Sequence, residues 1–174
     1  MKLTKQDKEL IEKAKEIIVK FRPVNLYKMH LNKCQNMLLG ISFGDAFGVA
    51  FEGKNKNKIA KEFQFNHYNP GGIGWKRGVY SDDTQMSIAI AELLISGKKF
   101  NKISLTKRFL EVYKRDPHQG YGSSVKEGLK KAKSVKEFLK IIPGVGKGNG
   151  ACMRSVPIGI LPNIKKVIKY AIAS

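Results

Sequence analysis

This sequence predicts a mainly α-helical fold, and three observations carry that reading. Apolar residues recur at helical spacing in about seven segments, and glycines and prolines punctuate them. Nowhere do helical and strand-like stretches alternate as a parallel sheet would require. With 174 residues, 42% of them hydrophobic, the chain has enough apolar content for the core of one domain.

Residues 4–21 place Leu10, Ile11, Ala14, Ile17, Ile18 and Phe21 at helical spacing with Lys and Glu between them, and Pro23 closes the run. Such an amphipathic helix is either a core helix or a docking arm. A second helix is expected from about Tyr27 into the forties, with Leu31, Cys34, Leu38 and Ile41 on one face. It carries Gly40, Gly44 and Gly48 at four-residue spacing, which would let another backbone approach closely, and it brings Asp45 and Glu52 as free carboxylates. Residues 54–68 read as a basic loop, in which Phe63, Phe65 and Tyr68 could make at most one short strand.

A glycine-rich stretch over residues 69–78 then leads to Ser81-Asp82-Asp83-Thr84, which opens an apolar helix through Ile88, Ala89, Ala91, Leu93, Leu94 and Ile95 that Gly97 stops. Two readings of the acidic cluster stand side by side. Ser81 or Asp82 can be an N-cap with Asp83 a first-turn acid, as the helix dipole favours. Alternatively, two carboxylates and two hydroxyls form an oxygen-rich site for a hard cation.

A helix over residues 104–114 follows, then a break at residues 116–124 and a basic helix over residues 125–133. Glycines and serines opening a helix leave backbone N–H groups free for a phosphate, although the same letters also make an ordinary capped turn. A second glycine-rich stretch, residues 144–150, precedes a helix over residues 151–161, where Pro157 implies a kink or a short first segment. The last helix, residues 163–173, is still helical where the sequence stops, so the chain reads as cut off.

The formal charge of +19, from 33 Lys and Arg against 14 Asp and Glu, suits an anionic partner. Lysines dominate residues 54–61, 126–140 and 165–169 without interleaved aromatics, which describes a solvated face and not a stacking platform. No zinc-finger, basic-zipper or RNP pattern occurs, so nucleic acid is disfavoured as a partner. Cys34 and Cys152 make neither a metal pair nor a disulfide framework, which fits a reducing cytosol. The N-terminus has no apolar signal region and no apolar run reaches membrane-spanning length, so a soluble cytoplasmic protein is expected. His30, His67 and His118 lie at no ligand spacing, and no nucleophile, base and orienter pattern is present.

Four segments, taken in order, resemble the ADP-ribosylglycohydrolase family, the group that includes the dinitrogenase reductase-activating glycohydrolases. They are Gly40-x3-Gly44-Asp45-Ala46-x-Gly48-x3-Glu52, then Ser81-Asp82-Asp83-Thr84-Gln85-Met86, then His118-Gln119-Gly120-Tyr121-Gly122-Ser123-Ser124, and lastly Gly148-Asn149-Gly150-Ala151-x-Met153-Arg154-x2-Pro157-Ile158-Gly159. The resemblance implies an all-helical orthogonal bundle, with residues 1–30 a basic amphipathic extension and residues 31–174 the N-terminal portion of the family domain.

It also implies roles. Ser81, Asp82 and Asp83 would be ligands in a binuclear Mg²⁺ or Mn²⁺ site, Glu52 would lie beside the metals and ribose, and Glu52 and Asp83 would serve catalysis. Gly120, Tyr121, Gly122 and Ser123 would hold the diphosphate and adenosine, while Gly148, Asn149 and Gly150 would approach the ribose. Family members continue through a histidine-containing segment and a distal Asp-x-Asp-[Thr/Ser] stretch that completes the metal pair. These residues hold neither.

Half a metal site is the expectation, with an apolar surface that a second copy or a C-terminal partner segment would cover. Three function classes follow: hydrolysis of ADP-ribosyl bonds with ADP-ribose or an ADP-ribosylated substrate as ligand, a catalytically dead binding or structural protein of the same fold, as among lens crystallins in this family, and a basic nucleic-acid-binding helical protein.

Overall fold

The computed structural model describes residues 33–63, 67–69, 75–142 and 148–174. Eight α-helices and two 3-10 helices occur among the described residues, with no strand, in agreement with the helical class. In order they are α1 (Lys33–Gly48), a 3-10 turn (Val49–Phe51), α2 (Lys56–Glu62), α3 (Asp82–Ile95), α4 (Lys102–Arg115), α5 (Ser123–Lys131), α6 (Val135–Ile141), α7 (Gly150–Met153), a second 3-10 turn (Val156–Ile160) and α8 (Ile164–Ala173). The amphipathic helix expected over residues 4–21 and the start of the second helix lie outside the described residues.

Helix α3 is the axis of the molecule, because α1, α4, α7 and the second 3-10 turn all pack against it. Its Ile90 and Leu93 are 0% and 2% exposed and join Phe100, Leu105 and Ile158 in one apolar cluster. Its Met86 enters a second cluster with Leu110, Tyr113, Tyr121, Leu129 and Phe138. Burying an Ile or Leu in this way contributes about 1.5–3 kcal/mol each, so α3 is held from two sides. Glu92 adds a polar clamp, accepting from Arg115 at 2.7 Å and Arg108 at 3.4 Å, both on α4. Gly97, with φ at +66°, lets the chain leave α3 through the left-handed region, as a helix-stopping glycine does.

Several segments fold differently from what their sequence suggests. Among the described residues, Gly40, Gly44 and Gly48 have no atom within 4 Å of where a Cβ would stand, so none of the described backbone approaches that stripe, although α1 does pack on α3. Part of the basic loop is helical. Asn55 caps α2 by accepting from Lys58 N–H at 2.9 Å, and Glu62 in its last turn binds Lys54 at 2.9 Å. Phe63 follows in extended conformation with its ring edge-on to Phe51, outside any strand, and Phe65 lies beyond the described residues. The lysine-rich stretch after residue 125 is two helices, because Ser134 starts a new one by accepting from Glu137 N–H at 3.2 Å while Glu137 accepts from Lys133 N–H at 2.8 Å. Pro157 sits in the second 3-10 turn after a four-residue first segment, as its position in the sequence requires.

Helix α8 is apolar on more than one face. Val167, Tyr170 and Ala173 pack on the Ile90 cluster, with the Tyr170 ring stacked 4.4 Å from Phe100. Ile164, Ile168 and Ile172 form a neighbouring stripe that is 67%, 54% and 81% exposed. No helix among the described residues is long and apolar enough to cross a membrane.

Candidate active site

The first turn of α3 holds the acidic cluster, and both readings of it apply at once. Ser81 is the N-cap residue, its Oγ accepting from Asp83 N–H at 3.3 Å, and Asp82 and Asp83 occupy the first turn, where the helix dipole favours carboxylates. The same turn forms one wall of a cleft of about 620 Å³. Glu52, Asp82 and Asp83 line it together with Gly120, Tyr121 and Gly122 and with Gly148, Asn149 and Gly150. Residues about a hundred positions apart therefore meet in one depression, which is what a ligand-binding site requires.

Two of the expected site residues stand elsewhere. Ser81 is fully buried and does not line the cleft; its hydroxyl lies 2.7 Å from Asp45 Oδ1 and 3.1 Å from Asp83 Oδ2. Ser123 is exposed outside the lining, which takes Ser124 and Val125 from the same helix start instead. Arg154 and Met153, which the motif contained but the site reading passed over, are in the wall; Arg154 sits over the Phe109 ring at 5.3 Å and bonds Ser174.

Asp45 is not a free carboxylate. It accepts from Ser81 N–H at 2.9 Å, Ser81 Oγ at 2.7 Å, Thr84 N–H at 3.0 Å and Thr84 Oγ1 at 2.6 Å. Glu52 does remain open to solvent at the cleft rim.

The loop over residues 118–122 is fastened behind the cleft. His118 lies 3.0 Å from Tyr80 O and 2.9 Å from Asp116 Oδ2, and stacks on the Tyr80 ring at 4.2 Å. Tyr121 buries its ring edge-on to Tyr113 and donates to Gln85 Oε1 at 2.6 Å, while Gln85 Nε2 donates to Asp116 O. Burial raises the Tyr121 phenol well above its usual range, so it stays protonated as a donor. Gly120 has φ at +100°, and a Cβ there would collide with Asp82 Oδ1 and stand 3.0 Å from Ser81 Cβ. Only glycine lets the loop lie against the acidic turn.

The electrostatics are those of an uncompensated acidic wall. Burial, then the neighbouring Asp83, push the Asp82 carboxyl up to about 7. Asp83 is raised by burial and then by Asp45, with the nearby Ser81 hydroxyl working against the rise. Glu52 is raised by burial, then by Asp83 and Asp45. Carboxylates that repel one another in the lining of one cleft are oxygen donors suited to a hard cation such as Mg²⁺ or Mn²⁺. They fit such an ion as part of a donor set: among the described residues no group of three or more His, Cys, Asp or Glu is arranged to enclose one.

Comparison with known proteins gives a consistent answer. Residues 27–174 match the family model described as ADP-ribosylglycohydrolase. ADP-ribosylhydrolase ARH3 of Xenopus tropicalis is 35% identical over 152 residues, 81% of this chain and 43% of the relative. The Homo sapiens protein of the same name is 29% identical over 155 residues, again 81% of this chain and 43% of the relative. The ADP-ribosyl-dinitrogen reductase glycohydrolase of Rhodospirillum rubrum is 28% identical over 125 residues, 70% of this chain and 42% of the relative. The chain thus spans about two-fifths of the length of the curated relatives it matches.

Proposed function

Because the chain belongs to the ADP-ribosylglycohydrolase family, we propose that its cleft binds ADP-ribose or an ADP-ribosylated residue and forms one side of a site that hydrolyses the ADP-ribosyl glycosidic bond. The observation that supports this most is the meeting of Glu52, Asp82 and Asp83 with two glycine-lined walls in a single cleft.

Glycosidic cleavage passes through an oxocarbenium-like state and needs a fixed ribose, an activated water and a carboxylate to move the proton. Asp82 and Asp83 would hold the divalent cations of a binuclear Mg²⁺ or Mn²⁺ site, and such ions, when bound, orient ribose hydroxyls and lower the pKa of water. Glu52, at the rim and raised by burial and its acidic neighbours, becomes a stronger base than a free carboxylate, suited to take a proton from water and return it to the leaving group. Helix α5 starts without a side-chain cap at Gly122, so the N–H groups of its first turn remain for an anion, here the diphosphate. Gly148, Asn149 and Gly150, which line the same cleft, would approach the ribose end.

Asp82 and Asp83 would supply part of a ligand set, with the remaining ligands delivered by another polypeptide segment docked against the chain. The exposed Ile164, Ile168 and Ile172 stripe offers it a docking face. The test is turnover of ADP-ribosyl-arginine and ADP-ribosyl-serine in Mg²⁺ buffer. The purified 174-residue chain should be inactive, and fusion to the C-terminal segment of a relative should give turnover that Glu52→Gln abolishes. Robust hydrolysis by the chain alone would overturn the divided site, and a fusion indifferent to Glu52→Gln would remove Glu52 from the chemistry.

A further inference from the structure

Asp45, on the last turn of α1, reaches across to the start of α3 and takes hydrogen bonds from both the backbone and the hydroxyl of Ser81 and of Thr84, at 2.6 to 3.0 Å. The four donors are buried, Ser81 at 0% and Thr84 at 2% exposure, and neither residue lines the cleft. A helix start leaves its first N–H groups without intrahelical partners, and a side chain from within the same turn usually caps them. Here Ser81 serves only Asp83 N–H, while Thr84 N–H is served by a carboxylate from 39 residues earlier.

From this geometry we infer that Asp45 is a positioning residue for the acidic turn: it fixes the first turn of α3 and sets the direction of the Ser81 hydroxyl, leaving the Asp83 carboxylate available to a cation. The inference rests on the cation reading of Asp82 and Asp83 given above. Ser81 Oγ carries one hydrogen and has two acceptors, Asp45 Oδ1 at 2.7 Å and Asp83 Oδ2 at 3.1 Å. The shorter contact takes it. Asp45 Oδ2 meanwhile accepts from Ser81 N–H, Thr84 N–H and Thr84 Oγ1. An asparagine could keep its oxygen at that second position, but its NH₂ group would then face Ser81 Oγ. The hydroxyl would have to accept there and turn its hydrogen to Asp83 Oδ2, engaging an oxygen that would otherwise face the ion. A plain structural cap needs no such polarity: asparagine caps helices about as well as aspartate does.

The experiment is Mn²⁺ titration followed by electron paramagnetic resonance at 10 °C, on the full chain with folding checked by circular dichroism. Wild type is first compared with Asp82→Asn plus Asp83→Asn. If these bind alike, the cation reading itself fails. Given a difference, Asp45→Asn should weaken Mn²⁺ about tenfold or more while the chain stays folded, the usual size of effect for a partner that orients a ligand. Thr84→Val, which removes one donor to Asp45 and touches no ligand, should weaken binding by a smaller factor. It carries the test if Asp45→Asn does not fold. A purely structural cap would lower the melting temperature without moving the affinity of the folded chain. Folded Asp45→Asn or Thr84→Val binding Mn²⁺ as wild type does would overturn the inference.

Discussion

Replacing Asp82 with asparagine should stabilise the metal-free chain, and do so only above the acidic range. Asp82 is 9% exposed, and burial followed by Asp83 moves its carboxyl from 3.8 to about 7. The folded chain therefore holds the Asp82 proton more tightly than the unfolded chain does. No penalty exists below about pH 4, where both states are protonated, and it grows until the pH passes about 7, where the ionised group is forced into the cleft wall. At ~1.4 kcal/mol per pH unit the unscreened penalty would be ~4 kcal/mol. Water in the cleft screens the group, and halving the figure leaves about 2 kcal/mol. Asparagine keeps the shape without the charge. Urea unfolding in EDTA, followed by circular dichroism at pH 4, 6 and 8, should show Asp82→Asn ahead by about 2 kcal/mol at pH 8, with the gap closing towards pH 4. A gap that does not change with pH, or a variant weaker than wild type at pH 8, would mean that ionised Asp82 carries no folding penalty.

Gly120→Ala should cost about 1–3 kcal/mol, because the position has φ at +100° and its Cβ would strike Asp82, whereas Gly122→Val, at φ −54° with nothing within 4 Å, should cost only about 1 kcal/mol as a poorer N-cap of α5 and weaken ADP-ribose binding in calorimetry. If Gly122→Val binds as wild type does, the phosphate lies elsewhere. Tyr121→Phe leaves Gln85 Oε1 buried without its donor and should lower the urea midpoint by the equivalent of about 1–3 kcal/mol; an unchanged midpoint would mean the bond does not hold the loop. Ile168→Glu with Ile172→Glu should barely change the stability of the isolated chain, since both side chains are more than half exposed, yet block activation by a relative's C-terminal segment supplied in trans. Full activation of that variant would place the docking face elsewhere.

Helices with strong local signals were legible in the sequence. Ser81 as a cap, Gly97 as a stop, the interruption at Pro157 and the Asn163 start of α8 are all decided within one turn of chain, and the structure follows them. Helix α6 was missed despite the same kind of signal: Ser134 and Glu137 have capping-box spacing, hidden in a run of lysines that reads as one charged face. Helix α2 was missed because Asn55 is its only strong cue in a stretch with little apolar periodicity. At the site, the motif letters named the walls of the cleft but not which way each side chain turns. Tyr121 sits between two cleft glycines, yet its ring belongs to the core and its hydroxyl to Gln85. Ser123 and Ser124 are adjacent, and helix rotation alone chooses the second for the lining. Asp45 was out of reach for another reason. Its donors lie 36 and 39 residues away, and no local pattern reports that α1 delivers a cap to α3.

If one cleft gathers the acidic turn of α3 and both glycine-rich segments around ADP-ribose, a crystal of the chain soaked with ADP-ribose and Mg²⁺ will show it. The ribose bearing the anomeric carbon is expected beside Glu52, Asp82 and Asp83, with the diphosphate against Gly122 and the first turn of α5. ADP-ribose bound outside that cleft, or within it with the diphosphate turned towards the carboxylates, would contradict it.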